Sequence, residues 1–357
     1  MPAFREGKVV SIEDSHEDYV RARVSTAGGE VTAIAYPSML GPLEAGDRVI
    51  VNVAGIELGL GTGGLGFILW NLDGPGPDAV GPGHAVKLRY TPWQKIVLAA
   101  EEPASPHHDA LAGAVSLDGT PTVVCTLHSQ VAAAAAGIKQ TRPDARVGYL
   151  MTDGAALPIA LSDLVRGLRT AGLVDVTCTC GHAFGGDLEA VNVFSGLVAL
   201  VHAAGTDAIV AAPGPGVVGT GTALGHTAME QGQVLDAVTA LEGQPVACLR
   251  ISFADPRERH RGVSHHTLMA LRLSARERCT IVLPELGDAT AGLRAELERE
   301  GLVDRHELVI ADGRPGLELL SERGVRVDTM GRSVGETPEL FAAAAAAGAV
   351  AARTLSS

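Results

Sequence analysis

Residues 214–222 form the glycine-rich segment GPGVVGTGT, which contains the pattern GxGxxG and follows the apolar run DAIVAAP. Glycines between a strand and a helix let backbone N–H groups approach an anion. The segment lacks the Gly-Lys-Ser/Thr ending of a P-loop and the later acidic residue of dinucleotide-binding sequences. We therefore predict that it binds phosphate or another anion; the alternative is a loop that only turns the chain. The predicted anion-binding residues are Gly214, Gly216, Gly219, Thr220, Gly221 and Thr222.

The segment SFADPRERHRGVSHHT, residues 252–267, is rich in groups that could transfer protons. Ser264 is a predicted helix N-cap, which places His265 and His266 in the first helical turn, where the helix dipole lowers the pKa of imidazole. A neutral imidazole suits a base or a metal ligand, so we predict catalytic roles for His265 and Asp255. Adjacent helical residues point about 100° apart, so we do not expect both histidines to face one ion. The alternative is that one histidine packs and the other is solvated.

Other candidate residues follow other apolar runs. His128 follows VVCTL, Asp153 follows VGYLMT, and His182 and Asp187 lie in CGHAFGGD. We predict acid–base roles for these four residues. A divalent metal is also open, although no HxH, HxxxH or HExxH spacing arranges ligands for it. The residues of suitable ligand type are His182, Asp187, His226 and Asp255.

From residue 121 onward, apolar runs alternate with helical patterns. The predicted strands are 122–127, 146–151, 174–180, 207–212, 245–252, 279–283, 306–310 and 325–328. The predicted helices are 129–140, 156–171, 187–204, 226–242, 265–276, 289–300, 315–323 and 338–353. Continuous apolar runs are typical of parallel strands that helices cover on both faces. We therefore predict a doubly wound α/β fold with a mainly parallel sheet of about 6–8 strands.

The elements that must position the candidate residues are the first five of these strands. In open parallel sheets, ligands bind outside the carboxyl ends of the strands, and right-handed crossovers bring those ends to one edge. The candidate residues follow five consecutive predicted strands, whereas ordinary turn residues follow the later ones. We therefore expect one site at this edge of the sheet.

Residues 1–72 carry a different pattern, with five short strand-like runs separated by turns. This pattern predicts a small all-β, barrel-like domain. The segment GLGTGG at 59–64 also matches GxGxxG, but no helical pattern follows it, so it predicts a turn. The Pro/Gly-rich segment 73–83 opens a linker region with connecting strands, 73–120, and the α/β domain is predicted at 121–357.

Composition excludes several classes of partner. The net charge of −13 leaves no global basic surface for nucleic acid or anionic lipid. The chain shows neither a signal-peptide pattern nor a run of about eighteen apolar residues, so we expect a cytoplasmic protein and no membrane partner.

Five cysteines, an odd number, argue against a disulfide framework, and Cys178 and Cys180 are interpreted as buried, inert thiols. The Ala-rich C-terminal helix permits close approach of another element, in this chain or in another subunit, which leaves a homo-oligomer open.

Several long segments resemble one protein family. They are GHAVKLRYTPWQ, LHSQVAAAAAG, MTDGAALP, GHAFGGDLEAVN, GPGVVGTGTALGHTAMEQGQ, SFADPRERHRGVSHHT and the N-terminal AYPSMLGPLEAGDRVIVNVAGIELGLGTGG. They are similar to segments of a mostly actinobacterial family, domain-of-unknown-function family 3866, and the similarity extends over nearly the whole chain. The resemblance implies a bacterial, cytoplasmic setting and carries over no activity, cofactor or catalytic residue.

Two functions are compatible with this pattern. The first is an enzyme that acts on a small anionic or phosphorylated molecule in the crevice at the strand ends. The second is a non-catalytic metabolite-binding or regulatory module whose barrel contacts a partner. An enzyme is expected to bring at least two titratable groups within hydrogen-bond reach of the glycine loop, whereas a sensor needs only donors and shape. A divalent metal is the cofactor left open, while nicotinamide and flavin cofactors are not expected.

Overall fold

The computed structural model of the chain describes residues 3–59, 63–77 and 83–355. The turn predicted at 59–64 and the linker predicted at 73–83 therefore lie partly outside the described residues.

The chain divides into two units. The first comprises Met1–Pro82 with Val86–Ile96, and the second comprises Gly83–Ala85 with Val97–Ser357. The connecting region between the two predicted domains is thus shared between the units, and its later part is built into the second.

The first unit contains a closed five-stranded barrel. Its elements are β1 (Phe4–His16), β2 (Tyr19–Thr26), β3 (Gly29–Ala35), α1 (Pro37–Leu40), β4 (Arg48–Asn52), α2 (Ala54–Glu57) and β5 (Gly66–Asn71). The strands close in the order β1-β2-β3-β5-β4. Val49 and Val51 of β4 are fully buried, as the two-residue period of a strand requires for one inward face. The predicted barrel is confirmed.

The second unit is built on an eight-stranded parallel sheet. After the short elements β6 (Ala85–Lys87), β7 (Lys95–Val97) and α3 (His108–Leu111), its strands are β8 (Pro121–Val124), β9 (Val147–Thr152), β10 (Val176–Thr179), β11 (Leu188–Glu189), β12 (Ala208–Pro213), β13 (Gln244–Cys248), β16 (Thr280–Pro284) and β17 (Glu307–Ala311). The spatial order is β11-β10-β9-β12-β8-β13-β16-β17, and every neighbouring pair is parallel. Two antiparallel pairs lie outside this sheet, β14 (Ile251–Ser252) with β15 (Gly262–Val263) and β18 (Asp328–Thr329) with β19 (Arg332–Ser333).

Helices cover both faces of the large sheet, which confirms the predicted doubly wound fold. They are α4 (Gln130–Thr141), α5 (Asp163–Thr170), α6 (Val193–His202), α7 (Glu230–Ala240), α8 (His265–Met269), α9 (Asp288–Arg299), α10 (Leu302–Arg305), α11 (Arg314–Glu322) and α12 (Pro338–Arg353). Helices α4, α5, α11 and α12 bury their apolar residues in one core, while α6, α7, α9 and α10 do so in the other.

The two helical layers define a crevice in the sheet. Strand β9 leads into α5 on one face, and its neighbour β12 leads into α7 on the other face. Where adjacent strands send their connections to opposite faces, the chain opens a gap at the carboxyl edge, and ligands of open α/β sheets bind there. Strand β8, the other neighbour of β12, leads into α4 on the same face as α5, so this rule predicts a crevice on either side of β12, and one of these two positions lies between the ends of β9 and β12.

Several predicted boundaries are wrong at the ends of elements. The predicted strand 325–328 is not part of the parallel sheet, because Arg326 and Asp328 interrupt its apolar run. The eighth strand is instead the two-residue β11, which carries no recognisable pattern. The predicted helix 187–204 begins at Val193, because Asn192 caps it by accepting a hydrogen bond from the Ser195 amide at 3.1 Å. The predicted helix 226–242 begins at Glu230, because the loop before it folds into a hairpin that includes residues 218–227.

The Ala-rich surface of α12 packs on α4 of the same chain. The residues of α12 from Glu339 to Ala352 are all buried. A Cβ added to Gly137 of α4 would lie 2.0 Å from the carbonyl oxygen of Ala345, and one added to Gly348 would lie 2.0 Å from that of Ala134. The two helix backbones are therefore in direct contact, and no side chain fits between them at these points.

We expect Gly137→Ala to lower the free energy of unfolding by about 1–2 kcal/mol, because the new methyl group must push α4 away from α12. The matched control is Gly292→Ala on α9, where an added Cβ meets no atom within 4 Å. That control should stabilise the protein by about 0.5–1 kcal/mol, the usual gain for glycine to alanine in a helix. Urea unfolding of both variants measures the change in the free energy of unfolding. Changes of the same sign in the two variants would contradict direct contact between the backbones of α4 and α12.

All five cysteines are buried thiols outside any disulfide, as predicted for Cys178 and Cys180. Among the residues that the structure describes, no helix has the length and apolar character needed to cross a bilayer.

Candidate functional site

The five strands whose ends carry the candidate residues are neighbours in the sheet, in the order β10-β9-β12-β8-β13. Because all five run parallel, the loops that follow them leave from one edge. The prediction that these loops share one edge is confirmed. The candidate side chains nevertheless form two separate clusters. Two candidates, His128 and Asp187, belong to neither cluster.

The glycine-rich loop after β12 folds back on itself before α7 begins. The Thr220 amide donates to the Gly225 carbonyl at 2.8 Å, and the Thr227 amide donates to the Val218 carbonyl at 3.0 Å. Gly216 and Gly221 have φ values of 97° and 81°, which non-glycine residues rarely adopt. This hairpin delays the helix, so α7 begins at Glu230 after a 3₁₀ turn at Thr227–Met229.

Two threonine side chains stabilise the hairpin. The hydroxyl of Thr220 donates to the Gly225 carbonyl at 2.9 Å, and the hydroxyl of Thr222 accepts from the Gly225 amide at 3.0 Å. The Thr220 amide and these two hydroxyl groups thus already have partners within the loop. Gly214 is packed tightly, because an added Cβ would lie 2.2 Å from the Ala156 carbonyl oxygen. Direct anion binding by the loop residues stays a prediction.

One arm of the hairpin lies against a histidine ring, at Gly219. A Cβ added to Gly219 would lie 3.0 Å from Cε1 of His266 and 3.1 Å from its Nε2. Any larger residue at this position would displace the ring or the loop. The loop therefore connects the end of β12 to the histidines that follow β13.

Four histidines pack together beside this loop, and we call His226, His260, His265 and His266 the imidazole cluster. The His226 and His266 rings are stacked with centroids 4.0 Å apart, and the His265 and His266 centroids are 4.4 Å apart. His260 lies 5.0 Å from His265 and 4.8 Å from His266. Ligand atoms of His226, His265 and His266 all lie within 4.8 Å of one another.

The expectation that His265 and His266 cannot face one ion is therefore wrong. The predicted N-cap is confirmed, since Ser264 Oγ accepts a hydrogen bond from the His266 amide at 3.3 Å. Both histidines occupy the first turn of α8, where side chains lean toward the helix N-terminus and into the space in front of it. His226 reaches the same space from the glycine loop. The angular separation of neighbouring Cβ atoms does not keep such long side chains apart.

Three ring nitrogens of the imidazole cluster are buried without a hydrogen-bond partner among the residues described here: His226 Nδ1, His260 Nε2 and His265 Nε2. His226 Nε2–H donates to the Ala223 carbonyl at 3.0 Å, which leaves a lone pair on Nδ1. His260 Nδ1 bonds to Ser264 Oγ at 2.7 Å. Buried polar atoms usually have partners, so three unpartnered nitrogens within one cluster of rings indicate a candidate ligand site.

The imidazole cluster is neutral near pH 7. Burial, the neighbouring His226 and the charge of Arg250 lower the pKa of His266 to about 2. Burial together with Arg250 and Arg257 lowers the pKa of His260 to about 3. The pKa values of His226 and His265 are also lowered, mainly by burial. Neutral rings keep their lone pairs available at physiological pH.

Four arginines adjoin the histidines, and we call Arg250, Arg257, Arg259 and Arg332 the arginine cluster. Asp255, whose side chain is fully buried, accepts hydrogen bonds from Arg257 Nε and Nη2, both at 2.9 Å. Arg332 Nη2 lies 3.4 Å from the same carboxylate and Arg250 Nη2 lies 3.7 Å from it. Three guanidinium groups thus share one carboxylate.

Positive charge is in excess here. Burial and the charge of Arg257 lower the pKa of Arg250 to about 10, which is far below the usual range of arginine. Arg332 Nε is buried and has no partner within the described chain. The Arg259 guanidinium lies 4.0 Å from the position that a Cβ would take on Gly221. Within the arginine cluster, the Arg259 guanidinium therefore faces the tip of the glycine loop.

A second cluster lies at the crevice between β9 and β12. The hydroxyl of Thr152 donates to Glu230 Oε2 at 2.7 Å. Asp153, at the end of β9, accepts a hydrogen bond from the His182 amide at 3.0 Å. Burial raises the pKa of Glu230 to about 7; the Thr152 hydrogen bond opposes this rise and the charge of Asp153 adds to it. Of the predicted residues, Asp153, His182 and Gly214 lie at this crevice.

Two predicted residues have structural contacts elsewhere. His128 is buried, with Nε2 2.6 Å from Ser162 Oγ and Nδ1 3.0 Å from the Tyr149 hydroxyl, and burial lowers its pKa to about 4. Asp187 accepts hydrogen bonds from the amide and the hydroxyl of Thr177 at 2.8 and 2.9 Å, and it pairs with Arg169. These contacts hold α5 and the β10–β11 edge in place. Catalytic roles for both residues stay predictions.

Sequence reasoning missed Glu230, Arg250 and Arg332. Glu230 resembles a solvated residue in a helix, and nothing in the sequence marks it as half-buried beside Asp153. Arg250 directly follows the apolar run of β13, and a cationic residue at the carboxyl end of a parallel strand could have been recognised as a candidate site residue. Arg332 lies on β19, 77 residues after the Asp255 that it contacts, so no spacing rule finds it.

Comparisons with known proteins give one match. No curated protein and no solved structure is significantly similar to the chain. A family model described as "Protein of unknown function (DUF3866)" matches residues 32–348. This range includes both clusters and, within the barrel, the end of β3 with β4 and β5, and it agrees with the segments that carried the resemblance. The chain belongs to the DUF3866 family of proteins of unknown function.

Proposed function

We propose that the protein is an enzyme that acts on a small anionic molecule, such as a phosphorylated metabolite, bound between the glycine loop and the arginine cluster. One observation carries the proposal: the loop tip, four neutral imidazoles and four arginines converge on one place. A binding site of this kind combines charge for the anion with groups that can move protons.

The charge balance supports an anionic ligand. Asp255 supplies one negative charge to the three guanidinium groups that surround it, so a bound phosphate or carboxylate would add compensating charge. Guanidinium groups bind such anions through two parallel hydrogen bonds. Arg259 is the member closest to the loop tip, since its guanidinium group faces Gly221.

The position of the histidines favours an enzyme over a sensor. His226 belongs to the glycine loop itself, and the His266 ring lies against Gly219. This placement of two titratable groups at the loop supports an enzyme. A sensor would bind its anion equally well through arginines and backbone amides alone, without burying unpartnered imidazole nitrogens.

Calorimetry with inorganic phosphate and pyrophosphate tests the anion site directly. We expect Arg259→Gln to weaken binding by about 10- to 150-fold, because one charge-assisted contact is worth roughly 1.5–3 kcal/mol. The control is Arg294→Gln, which removes an exposed arginine of α9 that pairs with Glu298 on the same helix. Equal affinity in the Arg259 variant and the wild-type protein would remove this arginine from the site.

Turnover is tested separately, with a library of phosphorylated metabolites followed by phosphate release and mass spectrometry. The enzyme proposal expects at least one compound to be converted, and conversion should fall with His260→Gln. Tight binding across the library with no conversion would instead support the metabolite-binding module.

A further inference from the structure

Three members of the imidazole cluster form an arrangement that anion binding does not require. We propose that His226, His265 and His266 bind one divalent transition-metal ion of the zinc type, with a further coordination position open to water or substrate. This inference goes beyond the proposed function and does not depend on it, because a metal would bind here whether or not the site turns over a substrate.

The chemistry of the donors selects the class of metal. All three ligands are imidazoles, which suit zinc, cobalt, nickel and copper. Magnesium and calcium prefer oxygen ligands, and no carboxylate belongs to this group of three. Three histidines with an open fourth position are an arrangement found in catalytic zinc sites.

The distances are close to those that a metal needs. The three ligand atoms lie within 4.8 Å of one another. Nitrogens bound to one tetrahedral zinc ion at about 2.0–2.1 Å are about 3.3–3.4 Å apart. The largest separation must therefore shrink by about 1.5 Å. The His226 and His266 rings, whose planes are 15° from parallel, must also turn so that their lone pairs converge on one ion.

Unpartnered nitrogens give a second, independent reason. His226 is 7% exposed, and its Nδ1 has no partner in the described chain, while its Nε2–H is held by the Ala223 carbonyl. Metal-bound histidines usually donate their other ring N–H in this way, which fixes the tautomer and turns the free lone pair toward the metal. His265 Nε2 is likewise buried without a partner among the described residues.

Arg250 is the main opposing group. Its Nη1 lies 3.4 Å from His266 Nδ1, a long contact that a metal can displace at little cost. The nearby positive charge disfavours a bare cation but favours a metal that carries an anionic fourth ligand. Asp255 already offsets part of this charge. When bound, such a metal supplies Lewis acidity and lowers the pKa of a bound water.

The test measures binding of the metal alone. Full-length protein is stripped with a chelator, dialysed and titrated with ZnCl₂ by calorimetry, with stoichiometry checked by elemental analysis. The Co²⁺ form is examined by visible absorption, which reports nitrogen coordination. We expect one ion per chain, and His226→Gln and His265→Gln should each weaken zinc binding at least 100-fold. The matched control is His84→Gln, whose side chain is 90% exposed, and it should bind as the wild type does.

Absence of one-to-one binding to the wild-type protein would overturn the metal site, as would unchanged affinity in both histidine variants. If the variants fail to fold, the wild-type protein is modified with diethylpyrocarbonate in the presence and absence of Zn²⁺. Slower modification of His226 and His265 with Zn²⁺ supports the site, and the same modification in both conditions overturns it. Phosphate binding is measured separately on the metal-free protein. This measurement distinguishes the two proposals, because either site can bind its ligand when the other site does not.

Discussion

Asp255→Asn should lower the free energy of unfolding by about 3–5 kcal/mol at pH 7, which is the usual cost of removing one partner from a buried ion pair. The Asp255 side chain is fully buried and accepts two hydrogen bonds from the Arg257 guanidinium and one from the Arg257 amide. Asparagine has nearly the same shape, but it leaves Arg250, Arg257 and Arg332 without a compensating charge. Urea unfolding at pH 7 measures the loss.

The effect should depend on pH in a defined direction. Burial opposes ionisation of Asp255, but the side-chain and backbone hydrogen bonds from Arg257 and its charge outweigh it, so the pKa of Asp255 is lowered. A carboxyl group whose pKa is lower in the folded state stabilises the fold above its unfolded pKa of about 4, and this stabilisation is lost as the pH falls toward the folded value. The difference between wild type and variant should therefore be complete at pH 7 and narrow below about pH 4.

Asp312→Asn provides the control. Asp312 also pairs with an arginine, Arg314, but the Arg314 side chain is 75% exposed. Exposed pairs contribute about 0–1 kcal/mol, so this variant should unfold almost as the wild type does. Equal losses in the two variants would mean that Asp255 is not held in a buried arginine cluster.

The same variant links stability to the proposed anion site. If guanidinium groups outnumber carboxylates at the loop tip, Asp255→Asn increases the excess, and a folded variant should bind phosphate more tightly than the wild type does. A ligand present at about 100 times its Kd stabilises a protein by about 2.7 kcal/mol. Added phosphate should therefore restore much of the lost stability, and failure to do so would separate Asp255 from the anion site.

The fold could be predicted from the sequence wherever one element carries its own pattern. Apolar runs such as those of β9 and β12 are local signals, and so is the N-cap at Ser264. Strand β11 could not be predicted, because two residues hold no period and their pairing depends on β10. The ends of helices were missed where a side chain or a folded loop, and not the helical pattern, determines the first turn.

The site was predicted less completely because it depends on contacts across the sequence. His265 and Asp255 were found from residue type, and the edge of the sheet followed from strand order. The meeting of His226 with His266 requires the hairpin in the glycine loop, which forms through the hydrogen bonds of Thr220 and Thr227. That hairpin is one of several conformations open to a glycine-rich segment, so residue spacing alone does not select it.

Glu230→Gln should stabilise the protein by about 2–3 kcal/mol above pH 8 and change it little near pH 4.5. Burial and the charge of Asp153 raise the pKa of Glu230 to about 7. An acid whose pKa is higher in the folded state opposes folding once it ionises, so the wild-type protein loses stability as the pH rises from about 4.5 to about 7. Glutamine does not titrate, and its amide oxygen can still accept the hydrogen bond from the Thr152 hydroxyl, now 2.7 Å from Glu230 Oε2.

Unfolding curves at pH 4.5, 6, 7 and 8 measure this difference, with Glu298→Gln as control because that side chain is 46% exposed and should shift stability by less than about 0.5 kcal/mol. A stabilisation that grows with pH would mean that the protein retains a buried carboxylate at a cost to its own stability. Groups kept at such a cost are concentrated at functional sites. Glu230 begins α7 directly after the segment that carries His226, so this result would extend the candidate site from the imidazole cluster to the crevice between β9 and β12. A pH-independent difference would leave Glu230 as a structural residue.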